Sequence, residues 1–377
     1  MACAVAHSAF AEGANIFHAS TRLRAEYDDN IFQTSRNEQD SFKFIAELNL
    51  SLNFTQPTTF FGLHYRPSFT YWEDRPGDST DLNHHVDAVL NHEFTPRFSL
   101  SVRDRFRYAE IPEGIANDVI VREKNNFIYN SLNATLSSRL TPETRLDIGG
   151  RNIILKYDES NVGRQQDYMR NVVGASVNHQ LQPTLTMVVD GRFEDISYDD
   201  ADVRDSQSTF VGVGADQTFS PNLLGSIRLG YQYKDFDNAA RSSVDSPYVD
   251  ANVTALPSPA TRLTLGAAFS QSETDVFPFA NQERTRIYAT AAHDITAKIA
   301  AFLSASFAYG DYKADQAAEG ADVADGSEDT WQVSARATYK IDRNNILELG
   351  YQFTDLSSDF GRDFTRNRVN IGYSFLF

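Results

Sequence analysis

The chain has 377 residues, with 51 Asp+Glu against 34 Lys+Arg, a formal net charge of -17 and 41% hydrophobic side chains. No run of about 18 apolar residues occurs, which excludes a helical membrane protein, and the acidic balance argues against a nucleic-acid partner. The single cysteine, Cys3, permits no internal disulfide and no zinc spacing, while 27 Phe and 17 Tyr against 3 Met and 2 Trp favour strands over helices.

Residues 1–11, MACAVAHSAFA, carry the apolar stretch and the Ala9-Phe10-Ala11 pattern of the end of an export signal, without its basic start. Cleavage after Ala11 would remove Cys3 and leave 12–377 as a single domain. An ordinary unstructured start is the other reading.

Short turn signals then punctuate the chain at Gln56-Pro57, Thr95-Pro96, Thr141-Pro142, Gln182-Pro183, Ser220-Pro221, Pro257-Ser258-Pro259, around Ala297, and at Asp342-Arg343-Asn344. Neighbouring signals lie about 37 to 46 residues apart, room for two long strands with one long and one short connection. Stretches rich in Asp, Asn, Gly and Ser fall between them, at 28–40, 73–81, 109–118, 158–166, 199–207, 235–246, 271–283, 310–329 and 354–363. Eight short turns alternating with nine long loops predict eighteen strands, with both termini at the short-turn end.

The predicted strands alternate with period two. Phe61, Leu63, Tyr65, Phe69 and Tyr71 share one face, and Gly62, His64, Arg66, Ser68 and Thr70 the other. Lengths of about 11 to 14 residues exceed those of ordinary sheets and suit a tilted bilayer crossing. A soluble β-sandwich with core aromatics is the competing reading. Strands entering the long loops end in an aromatic, Tyr27, Tyr71, Tyr108, Tyr157, Tyr198, Tyr233, Phe269, Tyr309 and Phe353, which predicts a ring of interfacial anchors. Phe54, Phe94, Phe219, Tyr339 and Phe377 are candidates for a second ring.

The final strand, RVNIGYSFLF, alternates through Tyr373 and Phe375 and ends on Phe377. With it, residues 12–377 resemble a bacterial outer-membrane barrel of the porin kind: all-β, a transmembrane antiparallel up-and-down β-barrel with short periplasmic turns and long extracellular loops. The segment from Leu23 to Phe42, LRAEYDDNIFQTSRNEQDSF, is similar to the start of the β-barrel porin type 2 family, whose Tyr-Asp-x-Asn-Ile-Phe opening is here Tyr27, Asp28, Asp29, Asn30, Ile31 and Phe32. The resemblance implies the outer membrane of a Gram-negative bacterium, contact with lipid and lipopolysaccharide, and recognition of Tyr373, Phe375 and Phe377 by the barrel assembly machinery. Members of that family are often linked with exopolysaccharide export, which implies periplasmic polysaccharide-export partners. It supplies no catalytic residues and no cofactor.

If the apolar positions face outward, the inward positions are basic, with Arg66, Arg103, Arg105, Arg107, Arg145, Arg151, Arg192, Arg228 and Arg336 lining a pore. Inward acids such as Asp87, Asp147, Asp190 and Glu194 are fewer, and the acidic excess falls in the loops. A basic pore attracts anions, so diffusion of small anionic or saccharide solutes is expected. Arg103, Arg105 and Arg107, with Arg145 and Arg151, either meet at a constriction or pair with Asp147, Asp190 and Glu194 as wall braces. Phe127, Tyr129, Tyr288 and Phe302 are apparently inward and suit sugar stacking, although a β-bulge turning Phe127 and Tyr129 outward is the expectation for those two. The loop at 310–329 could fold inward to narrow the pore, or stay mobile outside and bind divalent ions among lipopolysaccharide; the second is the expectation.

No HExxH, P-loop or nucleophile elbow occurs, and adjacent His84 and His85 point to opposite faces of a strand, so neither an enzyme nor a metal site is predicted. Two further functions stay open beside the channel: an outer-membrane conduit for exopolysaccharide export, and a non-conducting structural or adhesive barrel.

Overall fold

The computed structural model describes residues 16–109, 126–159, 166–199, 204–238, 241–274, 276, 278–314 and 323–377. The leader at 1–11 lies outside them. Six strands open the chain: β1 (Phe17–Asp28), β2 (Ser41–Gln56), β3 (Thr59–Trp72), β4 (Thr80–Thr95), β5 (Phe98–Ala109) and β6 (Phe127–Arg139). The next six are β7 (Thr144–Tyr157), β8 (Tyr168–Gln182), β9 (Leu185–Tyr198), β10 (Ser206–Ser220), β11 (Leu223–Phe236) and β12 (Val244–Ser258). The last six are β13 (Thr261–Glu273), β14 (Asn281–Asp294), β15 (Ile299–Tyr312), β16 (Gly326–Lys340), β17 (Asn345–Ser358) and β18 (Phe364–Leu376).

All eighteen belong to one antiparallel sheet, and β1 pairs with both β2 and β18, so the sheet closes on itself. Each predicted short turn is a connection between strands, and the first strand meets the C-terminal residue at that end, where the Phe377 amide donates to the Ala19 carbonyl at 3.0 Å. In the last short turn Asp342 accepts from the Asn345 side chain (2.8 Å) and the Asn344 amide (2.9 Å), which holds its carboxyl below the usual carboxylate range. That contribution is present above the ordinary carboxylate pKa and is lost as pH falls through the lowered value.

The strands run 12 to 16 residues, further into the long loops than the composition suggests. β17 continues to Ser358 because it stays paired with Glu328 on β16, and β16 starts at Gly326 because it stays paired with Tyr312 on β15, beyond the apolar belt.

Contacts that skip strands identify the inner face, because they can pass only through the barrel. Tyr248 on β12 donates to Asp190 on β9 at 3.4 Å, and Tyr198 on β9 donates to Glu273 at the end of β13 at 3.1 Å. Gly212 on β10 and Gly230 on β11 make the first contact possible: the Tyr248 ring lies across both, and a Cβ at either would overlap it. The opposite face carries open apolar side chains all round, such as Phe44, Phe69, Val173, Val211, Leu265, Leu349 and Ile371. Register shifts occur only near the short turns, at Glu93/Thr95, Gln180/Gln182, Thr218/Ser220 and Ala255/Ser258, so the alternation is unbroken through the strand bodies.

That unbroken phase corrects two expectations. Phe127 and Tyr129 do not slip outward: β5 and β6 pair in continuous register, and both rings are buried on the inner face. Tyr157 and Tyr198 do not join the outer ring, because the inward phase of β7 and β9 ends on them and leaves Lys156 and Ser197 outside. They pack instead in an inner cluster with Phe127, Tyr129, Ile153, Leu155, Tyr168 and Ile196. Tyr27, Tyr71, Tyr108, Tyr233, Phe269, Tyr309 and Phe353 fall on the outward phase.

The Tyr-Asp-x-Asn-Ile-Phe opening has a structural role at the seam. Asp28 is fully buried and accepts both Nε (2.9 Å) and Nη2 (2.5 Å) of Arg366 on β18, with Lys43 Nζ at 3.6 Å. Asp29 accepts the backbone amide (2.6 Å) and side-chain amide (2.7 Å) of Asn367. Asn30 donates to the carbonyls of Thr365 (3.0 Å) and Thr34 (2.7 Å). Three consecutive side chains thus clasp the last strand to the first. Removing one member of a buried, hydrogen-bonded ion pair costs about 3 kcal/mol or more. Asp28→Ala should therefore lower the urea midpoint of the refolded barrel by that equivalent, and an unchanged midpoint would remove the clasp from the stability of the fold.

Candidate functional site

The inner wall is the candidate site, and period-two geometry decides which side chains reach it. Every predicted pore-lining residue, Arg66, Arg103, Arg105, Arg107, Arg145, Arg151, Arg192, Arg228 and Arg336, falls on the inward phase of its strand. They divide into three settings.

The first is a basic patch on β3 to β7. Arg107 and Arg105 share one carboxylate, Asp87 on the adjacent β4, at 3.1 and 3.3 Å. Arg66 donates to the His85 ring at 2.9 Å and stands 3.9 Å from Glu47. Arg103 has no carboxylate partner among the described residues. Its cross-strand neighbour Asn133 is in turn opposite Arg151, which donates to Ser131 at 3.4 Å. Among the described residues, the four guanidiniums of Arg66, Arg103, Arg105 and Arg107 therefore face two carboxylates, Glu47 and Asp87. Arg145 does not join them: it sits opposite Arg139 near the short-turn end and pairs with Asp147 at 3.0 Å. The ladder's partner is thus Asp87 rather than Asp147, Asp190 or Glu194, while Glu194 takes Arg170 at 2.7 Å.

The second setting, between β9 and β16, pairs guanidiniums with a ring on the same or the adjacent strand. Arg192 lies 3.8 Å from the Phe210 ring centroid and 5.6 Å from that of Tyr248. Arg286 stands 5.2 Å from Tyr288, and Arg336 5.6 Å from Phe302. Arg228 pairs with Asp216 at 2.9 Å. Cations stacked on rings keep their charge on the inner wall.

The third setting, at the long-loop mouth, was not foreseen. Glu273 is held by Lys234 on β11 and by Tyr198 on β9, which ties the end of β13 to walls two and four strands away. Arg204 donates to Tyr198 Oη at 3.1 Å and to the Thr274 carbonyl, with its guanidinium 4.2 Å from the Tyr198 ring. Burial, and then the nearby Arg204 charge, lower the pKa of Arg241 in the next loop, although a guanidinium stays charged. Beyond Thr274 the chain packs Val276 and Phe279 against Tyr312, with Phe360 5.2 Å from Phe279 between ring centroids. The apolar residues Val276 and Phe279 inside a polar loop are the sequence signal that points to this packed cluster. Of the 310–329 loop, residues 315–322 lie outside the described residues, and Val323 packs against the same cluster.

His84 and His85 point to opposite faces: His84 bonds Tyr65 Oη outside at 2.8 Å, and His85 bonds Arg66 inside. At the C-terminus Tyr373 bonds the Asn345 side chain, and the Phe375 and Phe377 rings meet edge to face at 5.1 Å.

Known structures share this architecture. Pseudomonas aeruginosa OccK2 (OpdF) in complex with glucuronate matches with a TM-score of 0.52 at 13% identity, over 96% of this chain and 98% of that one. Pseudomonas aeruginosa OpdK with vanillate gives 0.52 at 14%, over 96% and 99%, and Acinetobacter baumannii OccAB2 gives 0.54 at 14%, over 96% and 98%. At these identities the likeness is one of fold. No curated protein matches the chain. The family model described as Putative beta-barrel porin 2 matches residues 11–376, so the chain belongs to that family of porin-like barrels.

Proposed function

We propose that the protein is an outer-membrane channel of a Gram-negative bacterium through which small hydrophilic anions diffuse. The observation that carries this reading is the charge reversal between chain and wall: among the described residues, a polypeptide of net charge -17 turns Arg66, Arg103, Arg105 and Arg107 toward the lumen against Glu47 and Asp87. In a narrow passage with low-dielectric walls such an excess concentrates counter-ions of the opposite sign. Lipid and lipopolysaccharide would then surround the apolar outer face, and the alternation of Tyr373, Phe375 and Phe377 would serve the assembly machinery. The tied mouth favours small solutes over a polymer, which ranks the channel above an exopolysaccharide conduit with periplasmic export partners.

Single-channel recording of the purified barrel in planar lipid tests this directly. A membrane that stays closed at all voltages would leave only the structural or adhesive reading. Under a salt gradient the reversal potential should report anion preference, and R103Q/R105Q/R107Q should lower the anion-to-cation permeability ratio by about threefold or more. An unchanged ratio would take the ladder out of the mechanism. Glucuronate and vanillate are practical solutes for the same assay.

The mouth makes a separate prediction. Glu273→Ala removes the group that holds β13 to β9 and β11, so conductance should rise by about twofold as the turn carrying Val276 and Phe279 withdraws. Unaltered conductance would place the narrowest point elsewhere.

A further inference from the structure

The outward face breaks its own rule in one sector. On most strands the outward acids lie beyond the aromatic ring, as Asp235, Asp311 and Asp355 follow Tyr233, Tyr309 and Phe353. Asp104 on β5 lies inside it, flanked on the same face by Val102 and Phe106 and followed by Tyr108. Asn130 on β6, Asn152 on β7 and Asn171 on β8 continue the polar row, each with an apolar outward neighbour nearer the long-loop end: Ile128, Ile154 and Met169.

The row is contiguous. Leu132 is opposite both Asp104 and Asn152, and Asn152 is opposite Asn171. Asn130 donates to Asp104 at 2.8 Å, and Asn152 to Asn171 at 2.8 Å. These bonds leave one Asp104 oxygen and the Asn171 amide hydrogens unspent. Gly150 and Gly191, just toward the short-turn end on the same face, leave the backbone open to close approach.

Hydrocarbon offers no donor or acceptor to such groups, and polar side chains at membrane depth cost free energy until another surface satisfies them. We infer that this face of β5 to β8 is an interface between two copies of this chain in the membrane, a step that rests on the outer-membrane reading above. The occupant follows from the chemistry of the row. Carboxamides carry donors and acceptors together, so the patch is complementary to itself. A lipid phosphate would meet the Asp104 carboxylate instead. Two barrels inserted with the same polarity present the row at the same depth, related by an axis along the membrane normal.

The test places one cysteine at the centre of the row, Asn152→Cys, in a Cys3→Ser background, and another at Leu265→Cys on the outward face of β13. Both proteins are expressed into the envelope, fractionated and oxidised in native membranes. Asn152→Cys should give a disulfide-linked dimer and Leu265→Cys should not. Failure to reach the outer-membrane fraction would sink the membrane reading itself. Correct fractionation with no dimer, or equal linkage at both positions, would overturn the interface and leave the channel standing. Independently, D104L/N130L/N152L/N171L should weaken self-association in mild detergent by about fiftyfold, given the modest worth of each polar contact in a membrane. An unchanged sedimentation profile would overturn it as well.

Discussion

Closure is the constraint on which everything else depends. A strand in hydrocarbon must satisfy its backbone N–H and C=O groups on both edges, because each orphan costs several kcal/mol, and only a sheet without edges achieves that. Here the two strands that must find each other, β1 and β18, are the most distant in sequence, and their pairing is among the costliest in loop entropy. The clasp of Asp28, Asp29 and Asn30 on Thr365, Arg366 and Asn367 sits at the long-loop end of that seam, and the Phe377 to Ala19 bond at the other. A motif that reads in sequence as a family signature is, physically, the fastening of the cylinder.

Closure also sorts charge. Once one face of every strand is apolar, ionisable side chains have only the lumen and the rims to occupy. Buried or half-buried acids such as Asp28, Glu273 and Glu328 collect near the long-loop rim, each paired with a cation: Arg366, Lys234 and Arg362. Deeper in, Asp87 is shared by two guanidiniums and Arg103 has no carboxylate among the described residues, so the acid that neutralises the rim is missing where the ladder sits. A strongly acidic chain can in this way carry a basic patch on its inner wall, and net charge alone does not give the sign of that wall.

Much of this was legible in the sequence because a barrel is built from two short-range rules. Period two fixes which residues share a face, and turn chemistry fixes where strands end, so the strand number, the short-turn end and the inward phase of the nine expected pore-lining arginines followed without knowledge of contacts. The misreadings arose where residue type was taken for phase. Tyr157 and Tyr198 end their strands as Tyr108 does, but one residue separates an anchor from a lumenal side chain, and composition does not count residues. Register across strands was equally invisible: that Arg105 and Arg107 meet Asp87, or that Glu273 reaches Tyr198 from four strands away, depends on stagger and curvature, which no local pattern encodes.

The two departures from the barrel's inside-out order fall on the same strands. Around β5 to β9 the inner face toward the mouth is apolar, with Phe127, Ile153, Leu155 and Ile196 buried together, while the outer face carries Asp104, Asn130, Asn152 and Asn171. A wall that is dry within gives a solute nothing to bind, so at the mouth the wettable path lies along the remaining strands and meets the β5 guanidiniums only below the cluster. A wall that is polar without is a poor surface for lipid and a good one for another protein. Both departures fit the channel and the interface proposed above: this sector would be the one packed against another copy, and the rest of the circumference would be left to a permeating solute.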